Sequence, residues 1–177
     1  MRLFTALVLD APARDRVAAY MDACRRAGVT GGFSAPGNLH ITLHFLGECG
    51  RAELAAARDA VETASGTRPF TLRVDGAGAF QQGRVVYLRF APCEELARMY
   101  RAETDALAAA GFEADERRYT PHVTLARRAA LPGGLPPAPE IEIPVSALTL
   151  FESRRDGGRL VYWPLLTKPF EQLTIDN

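Results

Sequence analysis

The tetrapeptide His40-Ile41-Thr42-Leu43 returns 82 positions later as His122-Val123-Thr124-Leu125. Each copy sits in a run that alternates apolar and polar residues, "NLHITLHFLGE" and "PHVTLARR". Such alternation predicts a strand with one buried face. His and Thr are two residues apart in each copy, so they share a face, about 6–7 Å apart along the strand. A single copy reads as the wet side of an antiparallel sheet. Two copies use two of the three histidines, one in each half of the chain. The chain is thereby constrained to build two related strands whose polar faces serve one site.

The punctuation around these strands predicts the remaining elements. Residues 2–9 read as a strand and 13–27 as a helix stopped by Gly28. A Gly/Pro-rich loop leads into the first motif strand, and 51–65 is a second helix. "FTLRVDGAGAF" and "RVVYLRFAP" form a hairpin around Gln81–Gly83. A third helix covers 93–110, followed by the second motif strand and the proline-rich loop "ALPGGLPPAPE". "EIEIPVSALTLFESRR" and "GRLVYWPLLTK" are two last strands around Asp156–Gly158. The expected class is α+β: one domain over 1–177 with two lobes sharing a core, the halves dividing near Pro92 as 1–92 and 93–177.

With 177 residues, 47% of them hydrophobic, the chain can bury a sizeable core. Its formal net charge of zero argues against a wide footprint on duplex nucleic acid and leaves room for local recognition of a nucleotide or RNA end. Cys24, Cys49 and Cys93 are odd in number, widely spaced and lack a CxxC, so neither a disulfide framework nor a zinc site is expected, and a cytoplasmic location fits. Asp10 and Pro12 close the first apolar run too early for a signal segment or a membrane span.

Two facing His/Thr pairs suit phosphoryl transfer without a metal. In-line displacement needs a base on the entering oxygen and an acid on the leaving oxygen, roughly opposite one another. Histidine serves both because it titrates near neutrality. Thr42 and Thr124 can donate hydrogen bonds to the non-bridging oxygens.

At these residues the chain resembles the 2H phosphoesterase superfamily, and more narrowly the RNA 2′,3′-cyclic phosphodiesterases, also called 2′-5′ RNA ligases. The resemblance extends to "RLFTALVLD", "RVVYL" and "LTLFES…GRLVYWPL". It implies two pseudo-symmetric antiparallel sheets flanked by helices, with an active cleft between them and no metal or other cofactor. It implies opening of a 2′,3′-cyclic phosphate, on RNA or a nucleotide, to a 2′-phosphate. By the same resemblance His40 is the proton donor, His122 the proton acceptor, and Thr42 and Thr124 bind phosphate. Arg127 matches an arginine that follows the second motif and can pair with phosphate, although strand parity sets it opposite His122 unless the strand twists or ends by Ala126. A monomer without an obligatory protein partner or membrane is expected. The alternatives are a family member acting on ADP-ribose cyclic phosphate or 2′-5′ oligonucleotides, reversible 2′-5′ ligation, and an RNA-end-binding module of the same fold.

His44 shares the predicted face of His40 and Thr42, but about 13 Å of extended strand separates His40 from His44, too far for one metal ion. The second copy has Ala126 at that place. His44 therefore reads as a cleft-edge or surface residue, with substrate contact as the alternative. Phe45 and Leu46 read as core. The arginines at 117, 118, 127, 128, 154, 155 and 159 read as a solvated rim that can also receive an RNA tail. The glycines of "GAGAF" mark a bulge or turn.

Overall fold

The computed structural model describes residues 1–172, so the last five residues of the expected domain lie outside the described ones. Strand β1 (Arg2–Val8) is an apolar run buried at five consecutive positions. It leads into α1 (Ala11–Arg26), where Asp10 accepts a hydrogen bond from Ala13 N at 3.0 Å and Pro12 occupies the first turn. That N-cap stabilises the helix by about 1 kcal/mol. The first motif strand is β3 (His40–Glu48), entered through the 3-10 turn Pro36–Asn38. Helix α2 (Arg51–Ala64) starts where Glu53 accepts from Gly50 N at 2.9 Å. Strands β4 (Phe70–Phe80) and β5 (Val85–Phe90) make the expected hairpin. Helix α3 (Glu94–Ala109) precedes the second motif strand, β6 (His122–Ala130). Among the described residues no helix is long and apolar enough to cross a membrane.

Two strands depart from the expectation. The Gly/Pro-rich stretch before the first motif contains β2 (Thr30–Phe33), which pairs with β6. The presumed single strand over 140–155 is two, β7 (Glu142–Val145) and β8 (Ala147–Asp156), broken at Ser146. Strand β9 (Arg159–Pro169) completes the last hairpin.

All pairings are antiparallel, in the order β7-β4-β5-β6-β3-β1-β8-β9. One wing is β6, β5, β4 and β7 with β2 on the outer edge of β6; the other is β3, β1, β8 and β9. These wings do not follow the division near Pro92. Strand β4 and its hairpin partner join the wing of the second motif, while β8 and β9 close the wing of the first. Ser146 is the single residue between a strand of one wing and a strand of the other.

One buried cluster runs through both wings and the helices, including Leu7, Val17, Ile41, Val61, Leu88, Met99, Val123 and Ile143. Burying each such side chain stabilises the fold by roughly 1.5–3 kcal/mol. The wings meet where β3 pairs with β6, at Ile41 opposite Val123. Both residues are fully buried, so the seam is fastened from the core side. The opposite side of the seam is where the motif residues emerge.

Candidate active site

Antiparallel pairing at Ile41–Val123 fixes the arrangement of the two motifs. One step either way sets His40 across from Thr124 and Thr42 across from His122. Facing residues at this spacing have Cβ atoms about 4.5–5.5 Å apart. A local two-fold axis therefore passes through the Ile41–Val123 pair, with a His/Thr couple on each side of it. Beyond this point the strands diverge, and a cleft of about 1050 Å³ opens between them. Thr42, His122, Thr124 and Arg127 line that cleft. His40 borders a neighbouring cavity of about 470 Å³, with Asn38, Phe151 and Tyr162 on its walls.

The two imidazoles are held in the same way. His40 Nδ1 lies 2.6 Å from the carbonyl of Asn38, and His122 Nδ1 lies 2.8 Å from that of Thr120. A carbonyl only accepts, so each Nδ1 carries the proton and each Nε2 is the atom available to a substrate. Aromatic rings pack on both: Phe4 and Tyr162 on His40 at 5.2 and 5.0 Å, Phe80 and Tyr87 on His122 at 5.1 and 5.8 Å. Burial among these groups is the main cause that lowers both imidazoles below the ordinary 6.5. The carbonyl bonds oppose it, while the Arg127 charge adds to the lowering at both histidines.

Both threonine carbonyls are tied as well. The Tyr119 hydroxyl donates to Thr42 O at 3.0 Å and the Ser34 hydroxyl to Thr124 O at 3.0 Å. Tyr119 lies just before the second motif, and Ser34 just before the first. Tyr119 thus clasps the other wing's strand, while Ser34 extends the β2–β6 pairing.

Strict alternation fails immediately after each threonine. The β1–β3 register shifts between Thr5/His44 and Ala6/Thr42, and the β5–β6 register shifts between Val86/Ala126 and Tyr87/Thr124. One residue is extra in each strand, Leu43 and Leu125, at corresponding positions of the two motifs. A bulge of this kind reverses the parity of everything after it. Leu125 and Ala126 are consequently both fully buried, and Arg127 turns back into the cleft beside His122. The parity argument that placed it on the opposite face is corrected by this bulge. Arg128 next to it holds φ at 51°, a strained value for a residue with a side chain.

In β3 the same bulge separates His44 from its expected companions. His44 pairs with the fully buried Thr5 and turns toward α3 at the cleft edge, whereas the rings of His40 and Phe45 both pack on Phe4. Of the two places expected for His44, the cleft edge is the one it takes: it lines the large cleft, with its side chain 11% exposed and in contact with Glu103 of α3. Phe45, expected in the core, is 74% exposed and lines the large cleft. It occupies the place in the first motif that Arg127 occupies in the second. Carrying the 82-residue offset past the tetrapeptide would have exposed that correspondence.

Two other expectations resolve locally. The bulge lies at Asp75, immediately before "GAGAF", and a Cβ on Gly78 would sit 2.6 Å from the Tyr87 hydroxyl. Gly78 therefore gives Tyr87 the space from which it packs on His122. Of the rim arginines, Arg117 is engaged with Asp115 at 2.8 Å and Arg154 with Glu152 at 2.6 Å. Arg117, Arg118 and Arg127 line the cleft.

Taken together, one imidazole, two hydroxyls, one guanidinium and an exposed phenyl ring line the cleft, and the second imidazole, His40, stands at the seam beside it on the neighbouring cavity. Such a set can move protons on either side of a phosphate, neutralise its charge and stack a base.

Comparison with known proteins places this arrangement. Residues 13–157 match the model of the 2′-5′ RNA ligase superfamily. The chain is similar to the RNA 2′,3′-cyclic phosphodiesterase of Escherichia coli, 34% identical over 93% of both chains. It is also similar to that of Methanothermobacter thermautotrophicus, 34% identical over 72% of this chain and 71% of the relative. The apo crystal structure of the Escherichia coli LigT protein superposes with a TM-score of 0.81 at 30% identity, covering 97% of this chain and 98% of that one. A Thermus thermophilus structure gives 0.82 at 27% identity, covering 96% and 98%.

Proposed function

Because this chain belongs to the 2′-5′ RNA ligase superfamily and is a phosphodiesterase of that family, we propose that it opens 2′,3′-cyclic phosphates, at RNA ends or on nucleotides, to 2′-phosphates with no metal ion. His40 Nε2, protonated in the reactive form, gives its proton to the departing 3′-oxygen. His122 Nε2, neutral, takes a proton from the attacking water. Water oxygen bonds to phosphorus as the bond to the 3′-oxygen breaks, and the product carries a 2′-phosphate and a free 3′-hydroxyl. Thr42, Thr124 and Arg127 hold the non-bridging oxygens, where negative charge concentrates. Phe45 stacks the base of the terminal nucleotide.

The observation that carries this reading is the Ile41–Val123 pairing, with both Nδ1 atoms tied to backbone carbonyls. It supports two proton-transferring nitrogens related by a local two-fold axis, as an in-line displacement needs. The nucleotide side of the reading is supported by a LigT structure complexed with 3′-AMP, whose fold this chain shares with a TM-score of 0.82 at 30% identity.

Incubation of the wild type with a 2′,3′-cyclic nucleotide in EDTA tests the reading, with phosphorus NMR to identify the product. The 2′-phosphate is the expected product, and His40→Ala or His122→Ala each lowers turnover by about 10²-fold or more. Activity that requires added metal, or that survives both substitutions, refutes it.

A further inference from the structure

Glu103 is the odd residue on the buried face of α3. Leu96, Met99 and Leu107 fill that face, and Glu103, 0% exposed, sits among them. One carboxylate oxygen meets His44 Nδ1 at 2.8 Å; the other is buried without a partner. A buried carboxylate is tolerated only where a proton or a cation meets it.

The other side of the His44 ring shows where the protons are. Its Nε2 lies 2.9 Å from the Thr104 hydroxyl, and that hydroxyl donates its single proton to the carbonyl of Tyr100 at 2.7 Å. Thr104 therefore accepts from His44, and Nε2 carries a proton. The contact between Nδ1 and Glu103 then holds one further proton, shared between imidazole and carboxylate.

From His44 a line of contacts crosses the cleft. The His44 ring stacks on Tyr100, with centroids 4.5 Å apart and planes within 5°. Tyr100 stacks on Tyr119 at 4.0 Å and 2°. The Tyr119 hydroxyl holds Thr42 O, and the next residue, Thr120, supplies the carbonyl that fixes His122. A ladder of three rings thus joins the first motif strand to Tyr119, the neighbour of the Thr120 that holds the second histidine. The second wing has no such device, since Ala126 stands where His44 stands in the first.

We propose that His44 and Glu103 are a positioning pair, which through Tyr100 and Tyr119 fixes the orientation of His122 relative to Thr42. The pair touches no reacting atom. It acts by locking the ladder against rotation about the α3–β3 contact, so the two motifs keep one relation as substrates come and go. The catalytic consequence rests on the phosphodiesterase reading above; the structural one does not.

The test uses three variants of the full chain. His44→Ala leaves Glu103 bare and is the variant prone to misfold. The double variant His44→Leu with Glu103→Leu removes the charge and fills the space. Glu103→Gln keeps the shape, its amide N–H donating to Nδ1 of a neutral His44. Nitrogen-15 NMR of the imidazoles reads His122 without any substrate, and turnover of a cyclic nucleotide is measured in parallel. In the double variant the His122 signals shift and kcat falls about 3- to 30-fold with KM unchanged, while Glu103→Gln restores both. Unmoved His122 signals in a folded double variant overturn the proposal, whatever the turnover. So does a loss of kcat that merely follows the fraction of folded protein. If the wild type fails to turn over a cyclic phosphate, the functional reading falls and the His122 signals still decide the positioning role.

Discussion

The two motif strands, β3 and β6, are alike through their first four residues and then part company. Both tie a histidine Nδ1 to the carbonyl two residues upstream, both present a threonine whose carbonyl accepts a hydroxyl, and both bulge at the leucine that follows. After the bulge one strand offers His44 and Phe45, the other Ala126 and Arg127. The shared part is what a two-sided proton transfer requires. On the proposed reading, the unshared part serves a substrate with two different ends: a ring for a base on one side and a cation for phosphate on the other. Symmetry is kept where the chemistry is symmetric and dropped where the ligand is not.

The comparison breaks most visibly at the histidines. Replacing either one by alanine is expected to lower kcat about 10²- to 10⁴-fold, the range for general acid or base catalysis. Steady-state hydrolysis of a cyclic nucleotide measures it. A loss confined to one of them would mean that the motifs are not functionally paired.

Smaller and opposite effects are expected one step beyond the bulges. Arg127→Ala removes hydrogen bonds to a charged oxygen, each worth about 1.5–3 kcal/mol, and chiefly lowers kcat. Phe45→Ala removes a stacking surface worth about 1–3 kcal/mol and chiefly raises KM. Separate determination of kcat and KM for each variant tests that division of labour.

Acid and alkaline limits sharpen it further. Both imidazoles are held below 6.5, chiefly by burial and also by the Arg127 charge, so the free enzyme's kcat/KM is expected to peak below pH 6.5. A positive neighbour disfavours the imidazolium, so Arg127→Ala moves the profile toward higher pH. The sign for stability follows from the same depression. The unfolded chain binds protons near 6.5 that the native histidines refuse, so stability present above 6.5 is lost as the pH falls below it. Denaturant titrations across this range check it.

The mildest change is expected at Gly78. A Cβ there meets the Tyr87 hydroxyl at 2.6 Å, and the far end of a tyrosine can swing aside. Gly78→Ala should disturb the ring that packs on His122 and lower kcat by a small factor, leaving His40 untouched; the His122 NMR signals report the displacement.

Much of this was legible in the residues, for physical reasons that differ by element. α1, α2, α3, the β4–β5 hairpin and both motif strands announce themselves by periodicity and by the glycines or caps at their ends. The duplicated tetrapeptide pointed to the candidate site because two half-buried His/Thr pairs 82 residues apart have few structural uses. Strand β2 was illegible because "TGGF" lacks alternation; it is a strand only because the edge of β6 offers it hydrogen bonds. The bulges at Leu43 and Leu125 have no local marker, being ordinary leucines in ordinary strand surroundings. Missing them misplaced Phe45 in the core and set Arg127 by parity on the wrong face, while both line the cleft.

The exchange of strands between wings also governs the order in which the fold can be completed. β1 is synthesised well over a hundred residues before its second neighbour, β8, which begins at Ala147. Until then the wing of the first motif holds only the β1–β3 pairing, with an unpaired edge of the kind that invites wrong partners. Closing it requires a loop of well over a hundred residues, and such non-local pairings form slowly. The wing of the first motif is therefore begun long before it can be closed, and the cleft takes its final shape only after β8 has been made.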